Sequence, residues 1–263
     1  MPRSPLMNIM VQACSKAGRA MRRDFNEVEQ LQVSIKGPSD FVSIADRRAE
    51  DTLRQELARA RPDIGFLLEE GGEIEGRDPS QRFIIDPIDG TTNFLHGIPH
   101  FAISVALERN GSLVAAVVYN PVADELFTAE RGNGAFLNDR RLRVSGRKNI
   151  VDCVIGTGVP HRGKGDHELF GRELRAVQGQ VAGIRRAGAA SLDLAWVAAG
   201  RLDGFWERDL KAWDMAAGLL LIREAGGYAS DLDGRDDMLT KGHVVCGNEA
   251  SHRWLADTLK KVR

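Results

Sequence analysis

Two aspartates stand three residues apart at the end of an apolar run, in the string Phe83-Ile84-Ile85-Asp86-Pro87-Ile88-Asp89-Gly90-Thr91-Thr92-Asn93-Phe94. Few folds accommodate it. Pro87 lacks an amide hydrogen and resists the continuation of a regular element. The apolar run is therefore expected to be a short buried strand ending at Asp86. In the loop beyond, both carboxylates and the Ile88 carbonyl can point toward one spot. Gly90 allows close backbone approach, and the amides of Gly90 and Thr91, if they open a helix, form a site for a phosphate oxygen. An acidic surface turn with a helix cap is the alternative, because Asp-Pro and Asp-Gly pairs are common in turns.

Composition narrows the classes. With 263 residues, 43% of them hydrophobic, the chain can bury a real core in one large or two closely packed domains. Its 36 basic and 37 acidic side chains nearly cancel, which argues against a dedicated nucleic-acid binder. Cys14, Cys153 and Cys246 are too scattered for a disulfide framework or a zinc site. They are expected as small core residues in a cytoplasmic protein. No apolar run approaches the roughly 18 residues of a membrane span. Met1 to Arg23 is basic without acids, as transit peptides are, yet Leu6, Met10, Ala13, Ala17 and Met21 recur at three- and four-residue steps. That stripe predicts a first helix packed on the core.

The order of elements follows. Helices are expected from about Pro5 to Phe25 and from about Ser43 to Ala60, with a turn at Lys36-Gly37-Pro38-Ser39-Asp40 between them. A strand from Ile64 to Leu68 ends at Glu69-Glu70. Strands from Phe101 to Glu108 and from Leu113 to Tyr119 join at Asn110-Gly111, a hairpin signal, and the meander continues through Glu125 to Ala129 and Ala135 to Leu137. The second half alternates. Strands near Cys153, Gly183, Gly204, Gly227 and Val244 interleave with helices opening near His167, Ser191, Trp213 and Glu249, which implies sheets covered by helices. An N-terminal α+β domain over residues 1–146 and a C-terminal α/β domain over residues 147–263, tightly packed, are expected.

Asp86 to Phe94 with its preceding apolar run resembles the first signature of the inositol monophosphatase family. Trp213-Asp214-Met215-Ala216-Ala217-Gly218 with Glu224-Ala225-Gly226-Gly227 resembles the second. Order and separation match, Glu69-Glu70 matches upstream, and the resemblance extends from the first helix to the last. It implies an α/β fold, the five-layered αβαβα sandwich of the inositol monophosphatase and sugar phosphatase type, and a homodimer. The implied activity is Mg²⁺-dependent, lithium-sensitive hydrolysis of inositol 1-phosphate. Glu69, Asp86, Asp89 and Asp214, with the Ile88 carbonyl, would hold two or three Mg²⁺ ions. Hard oxygen ligands suit that ion. Without cations, four converging carboxylates would repel one another by roughly 4 kcal/mol per pair at about 4 Å and an effective dielectric of about 20.

The remaining roles also come from the resemblance. Thr91 matches a threonine that orients the attacking water with an acidic partner, here Asp46, for which helix capping is the alternative. Glu69 joins them as a catalytic residue. Asp89, Gly90 and Thr91 would contact the substrate, as would the turn Gly188-Ala189-Ala190, whose amides face its hydroxyls. Glu207 matches a carboxylate that accepts hydrogen bonds from the polyol, although a surface glutamate looks the same in isolation. The six histidines fit no metal-ligand spacing and receive no catalytic part.

Departures leave the alcohol open. Arg208-Asp209-Leu210-Lys211-Ala212-Trp213 is more charged than in familiar animal members, Arg185-Arg186 adds a basic pair near the same rim, and Ala187 to Asp203 looks closest to the bacterial branch. Fructose 1,6-bisphosphate, 3′-phosphoadenosine 5′-phosphate and histidinol phosphate remain as alternatives. From another class, a binding protein of an RNA or transcription complex is motivated by Arg140, Arg141, Arg143, Arg147 and Lys148 in one stretch, together with Arg185-Arg186. A solvated basic loop is the plainer reading, and the intact carboxylate set favours catalysis. A small phosphorylated polyol or sugar is the expected partner, with neither nucleic acid nor membrane.

Overall fold

The computed structural model describes residues 3–27, 33–37, 40–163 and 165–262. Helix α1 (Pro5–Asn26) starts at Ser4, whose side chain accepts from the Met7 amide, and buries Met10, Ala13, Ala17 and Met21 along one face. Strands β1 (Val33–Gly37) and β2 (Asp40–Ser43) pair antiparallel around the expected turn, of which Pro38 and Ser39 lie outside the described residues. Helix α2 (Ile44–Ala60) then buries Ala49, Leu53 and Leu57.

Strands β3 (Ile64–Leu68), β4 (Gly72–Ile74) and β5 (Asp78–Asp89) follow, then a short helix α3 (Thr91–Leu95). The meander is β6 (Ala102–Arg109), β7 (Ser112–Asn120), β8 (Glu125–Glu130), β9 (Gly134–Leu137) and β10 (Arg140–Arg141). The eight strands from β3 to β10 form one sheet in the order β10-β9-β8-β7-β6-β5-β3-β4, antiparallel except that β3 runs parallel to β5. Asn110 and Gly111 both take positive φ, 50° and 68°, the backbone that a two-residue hairpin turn requires.

The second half contains β11 (Val154–Thr157), α4 (His167–Gln178), β12 (Gly183–Arg185), α5 (Ala190–Ala198), β13 (Gly204–Glu207) and α6 (Ala212–Glu224). It closes with β14 (Tyr228–Ser230), α7 (Met238–Lys241), β15 (Val244–Gly247) and α8 (Glu249–Lys261). Its mixed sheet has the order β12-β11-β13-β15-β14.

Alternation along the strands sorts side chains into separate cores. Phe83 and Ile85 of β5 join Val105 and Val117 against α1 and α2. Ile84, Ala106 and Val118 face the opposite way, into a core shared with α5 and α6. In the second sheet Phe205, Val244 and Cys246 enter that same central core, while Trp206 and Val245 pack with Val177 of α4 and Leu255 of α8. The result is helix, sheet, helix, sheet, helix, the five-layered αβαβα sandwich. Helices α5 and α6 lie between two sheets, so most of their residues are buried and apolar around the whole circumference. Cys14, Cys153 and Cys246 are free and buried, as expected. Among the described residues, no helix is long and apolar enough to cross a membrane.

Candidate active site

Strand β5 corrects the expectation that the apolar strand ends at Asp86. Pairing with β6 resumes beyond the proline: Asp86 lies opposite Ser104 and Asp89 opposite Ala102, so three steps on one strand match two on its neighbour. Residues three apart in a regular strand project from opposite faces. The bulge at Pro87-Ile88 removes that alternation and turns both aspartates toward the central helices. Ile88 itself is buried against α1 and α2.

Neighbouring elements bring the other carboxylates. In the parallel pair β3–β5, Leu68 lies opposite Ile85, and the Glu69 amide donates to the Ile85 carbonyl at 3.2 Å, which carries Glu69 alongside Asp86. Asp214 sits in the first turn of α6, where its Oδ2 accepts from the Lys211 amide at 2.7 Å. The Ser104 hydroxyl donates to the Trp213 carbonyl at 3.0 Å and pins that helix end to β6. Ligand atoms of Asp86, Asp89 and Asp214 all lie within 4.8 Å of one another.

Asp89 Oδ2 accepts from both the amide and the hydroxyl of Ser191, each at 2.6 Å, at the start of α5. Gly90 turns the chain with a φ of 92°, and a Cβ there would lie 3.0 Å from that of Ala189 and 3.1 Å from the His100 carbonyl. Only glycine meets both demands. The Thr91 hydroxyl lies 3.0 Å from the Ile88 carbonyl and 3.3 Å from Asp46 Oδ1. Asp46 is buried inside the first turn of α2, not at its cap position. Asn93 Nδ2 donates to the carbonyls of His100 and Ala187 at 2.7 and 2.8 Å, which ties the motif to the second half.

The electrostatics are those of negative charge awaiting compensation. Burial, followed by the charges of Glu69, Asp89 and Asp214, holds Asp86 well above the usual carboxylate range. Burial pushes Asp89 up to about 6 against the lowering effect of its Ser191 bonds. Asp214 rises to about 7 through burial and the charge of Asp89. Asp86 Oδ1 is buried with no hydrogen-bond partner. An orphaned carboxylate oxygen among acidic oxygens is a costly arrangement, and an all-oxygen donor set of this kind fits a hard divalent cation.

These groups line a cavity of about 180 Å³, together with Gly90, Thr91, Gly188, Ala190 and Glu207. Ala189 lies behind them with its side chain in the central core. Glu207 ends β13, and burial together with the charges of Asp193, Asp214 and Asp89 raises its carboxyl well above the ordinary range, opposed by Arg186. A second cavity of about 360 Å³ adjoins the first and shares Glu69, Gly158, His161, Glu207, Leu210 and Asp214 with it. Of the Arg185-Arg186 pair, Arg186 lines the smaller cavity and Arg185 is exposed.

Sequence reasoning passed over several residues here. Ser191 holds Asp89, and its position at a helix start was the available signal. His100 Nε2 lies 3.2 Å from Asp193 Oδ1 and packs edge-on against Trp196; no spacing joins residues 100 and 193. His161 reaches the cavity wall without belonging to any motif.

Comparison with known proteins shows the family of the chain. The model of the inositol monophosphatase family matches residues 3–263. Inositol-1-monophosphatase of Rhizobium meliloti (strain 1021) is 65% identical over 99% of this chain and 98% of its own. A Pseudomonas aeruginosa relative called Nus factor SuhB is 48% identical over 97% of this chain and 96% of its own. The crystal structure of extragenic suppressor protein suhB from Bartonella henselae superposes with a TM-score of 0.96 at 58% identity, covering 98% of this chain and 99% of that one. The chain therefore belongs to the inositol monophosphatase family, a family of phosphatases.

Proposed function

We propose that this chain is a Mg²⁺-dependent phosphatase that hydrolyses inositol 1-phosphate to inositol and phosphate. One observation carries the reading: ligand atoms of Asp86, Asp89 and Asp214, from a bulged strand and a helix start, lie within 4.8 Å of one another, and Asp86 Oδ1 is buried without a hydrogen-bond partner. Glu69, Asp86, Asp89, Asp214 and the Ile88 carbonyl are the proposed holders of two or three Mg²⁺ ions. Bound there, such ions make a water more acidic and offset charge on the leaving oxygen.

The chain's own groups do the rest. Thr91 donates its proton to Asp46, which leaves the hydroxyl lone pairs free to accept from the attacking water. Glu69 borders the same volume and helps to orient that water. The amides of Gly90 and Thr91 face a phosphate oxygen. The water oxygen joins phosphorus, the bond from phosphorus to the ester oxygen breaks, and the alcohol leaves with a proton. Glu207 accepts from the hydroxyls of that alcohol, and the Gly188-Ala189-Ala190 turn meets the others. In this reading residues 1–146 bring most metal ligands, and residues 147–263 bring the alcohol contacts and Asp214. A cytoplasmic, lithium-sensitive homodimer belongs to the same proposal.

Phosphate release tests it, with inositol 1-phosphate, fructose 1,6-bisphosphate and 3′-phosphoadenosine 5′-phosphate compared in Mg²⁺ and in EDTA. Release from the inositol ester, abolished by EDTA, is expected. Preference for another ester changes the alcohol and keeps the mechanism, whereas release in EDTA overturns it.

A second reading, an adaptor in an RNA or transcription complex, draws on the relatives called Nus factor SuhB and on the basic stretch. That stretch is partly engaged within the fold: Arg147 pairs with the buried Asp203 at 3.1 Å, and Arg141 stands over the Phe136 ring. RNA binding that is salt-sensitive and survives EDTA would favour the adaptor, and no binding at low salt would exclude it.

A further inference from the structure

Gly158 follows β11 and borders both cavities together with Glu207. Unlike Gly90 and Gly188, it does not take positive φ, so its backbone suits any residue. Space is what excludes a side chain. A Cβ at Gly158 would lie 1.7 Å from Glu207 Oε1, 1.9 Å from its carboxyl carbon and 2.4 Å from Oε2, and these are the three nearest atoms. Ordinary contact between such atoms needs about 3.5 Å. The nearest obstacle to a side chain at this glycine is therefore one carboxylate.

The strand beneath that carboxylate is fixed. Phe205 and Trp206, the two residues before it, are almost wholly buried in different cores, and Glu207 pairs with Val244 across β15. A side chain at 158 would thus displace the end of the glutamate and leave β13 in place. Asp86, Asp89 and Asp214 stand on other elements and would not be touched.

We propose that Gly158 is a specificity-determining position: the space it leaves open seats the Glu207 carboxylate on the wall between the two cavities, where it meets the alcohol portion of a polyol phosphate. Gly158 is a positioning residue that acts through Glu207, and the inference rests on the role proposed for that glutamate. Substitution turns the carboxylate aside, weakens binding of a ring with several hydroxyls, and has little effect on a small ester such as glycerol 2-phosphate.

The test is a double-mutant cycle of wild type, Gly158→Ala, Glu207→Ala and the double variant. KM and kcat are measured on inositol 1-phosphate and glycerol 2-phosphate, with Mg²⁺ affinity by calorimetry. Gly158→Ala should raise KM for the inositol ester about tenfold relative to glycerol 2-phosphate, the scale of a lost hydrogen bond to a charged group, with Mg²⁺ affinity unchanged. Added to Glu207→Ala, the same change should move KM by less than about twofold. An equal cost in both backgrounds overturns the inference and leaves the phosphatase reading standing, as does a shift in substrate ranking from Glu207→Ala alone. No shift from Glu207→Ala removes the glutamate's role and this inference with it. Absence of hydrolysis by wild type removes the phosphatase reading and the inference together. If Gly158→Ala alone misfolds, a folded double variant supports the steric argument and a misfolded one overturns it.

Discussion

Asp89 accepts two short hydrogen bonds from Ser191 while it also contributes to the acidic cluster, and the two duties separate on substitution. Asn in its place keeps an acceptor for Ser191 but loses the charge that a divalent cation needs. Asp89→Asn should lower phosphate release by more than about a hundredfold and leave the circular-dichroism melt nearly unchanged. Activity near wild type would remove Asp89 from the proposed metal site. Gly90→Ala should act on stability as well as on the phosphate contact. A φ of 92° and a contact at 3.0 Å with Ala189 imply a loss of about 1–2 kcal/mol in urea unfolding. At this scale Asp86 and Asp89 were legible from residue type and local spacing, whereas Glu69 and Asp214 entered only through the family resemblance. Ser191, Asp193 and His100 were not legible, since each owes its place to a contact with the opposite half of the chain.

Helices α5 and α6 point their first turns at the site, one delivering Ser191 to Asp89 and the other carrying Asp214. Their close approach depends on Gly218, where a Cβ would lie 2.4 Å from that of Leu194. Gly218→Ala should therefore destabilise the fold by about 1–3 kcal/mol and lower activity in the fraction that remains folded. Unchanged stability would mean that the two helices separate freely. Both helices were readable as apolar runs, and most strands were found within a residue or two. Strands β1, β2, β4 and β10 and helix α7 were missed because they are short, and β4 and β10 are exposed. The first residues of β5, Asp78 to Arg82, carry no buried side chain and are made strand by pairing with β3 and β6.

The whole molecule couples this cluster to folding. Asp89 and Asp214 rise from an ordinary 3.8 to about 6 and about 7, so the folded state binds more protons than the unfolded one across that interval. Their contribution to stability is fullest below about pH 4 and is lost as pH rises through 6 and 7. On the proposed reading, Mg²⁺ would take the place of these protons. In EDTA the melting temperature should fall between pH 5 and pH 8, and Mg²⁺ should restore it more at pH 8 than at pH 5. Equal stabilisation by Mg²⁺ at both values would show that the ion does not compensate these carboxylates. The central core draws on both sheets, so one cooperative transition is expected.

Local chemistry on its own determined most of the elements and half of the acidic set: periodic patterns mark the longer helices and strands, and Asp-Pro-Ile-Asp-Gly-Thr-Thr carries Asp86 and Asp89 within one short stretch. Family resemblance, itself a property of the sequence, supplied the layered architecture. Tertiary structure alone decided that Asp86 and Asp89 share a face, because that follows from a bulge whose extra residue exists only relative to β6. It also decided that Ser191 anchors Asp89 and that the Glu207 carboxylate fills the space at Gly158. Those are contacts between residues tens to a hundred positions apart, and no local pattern encodes them until the sheets and helices have packed.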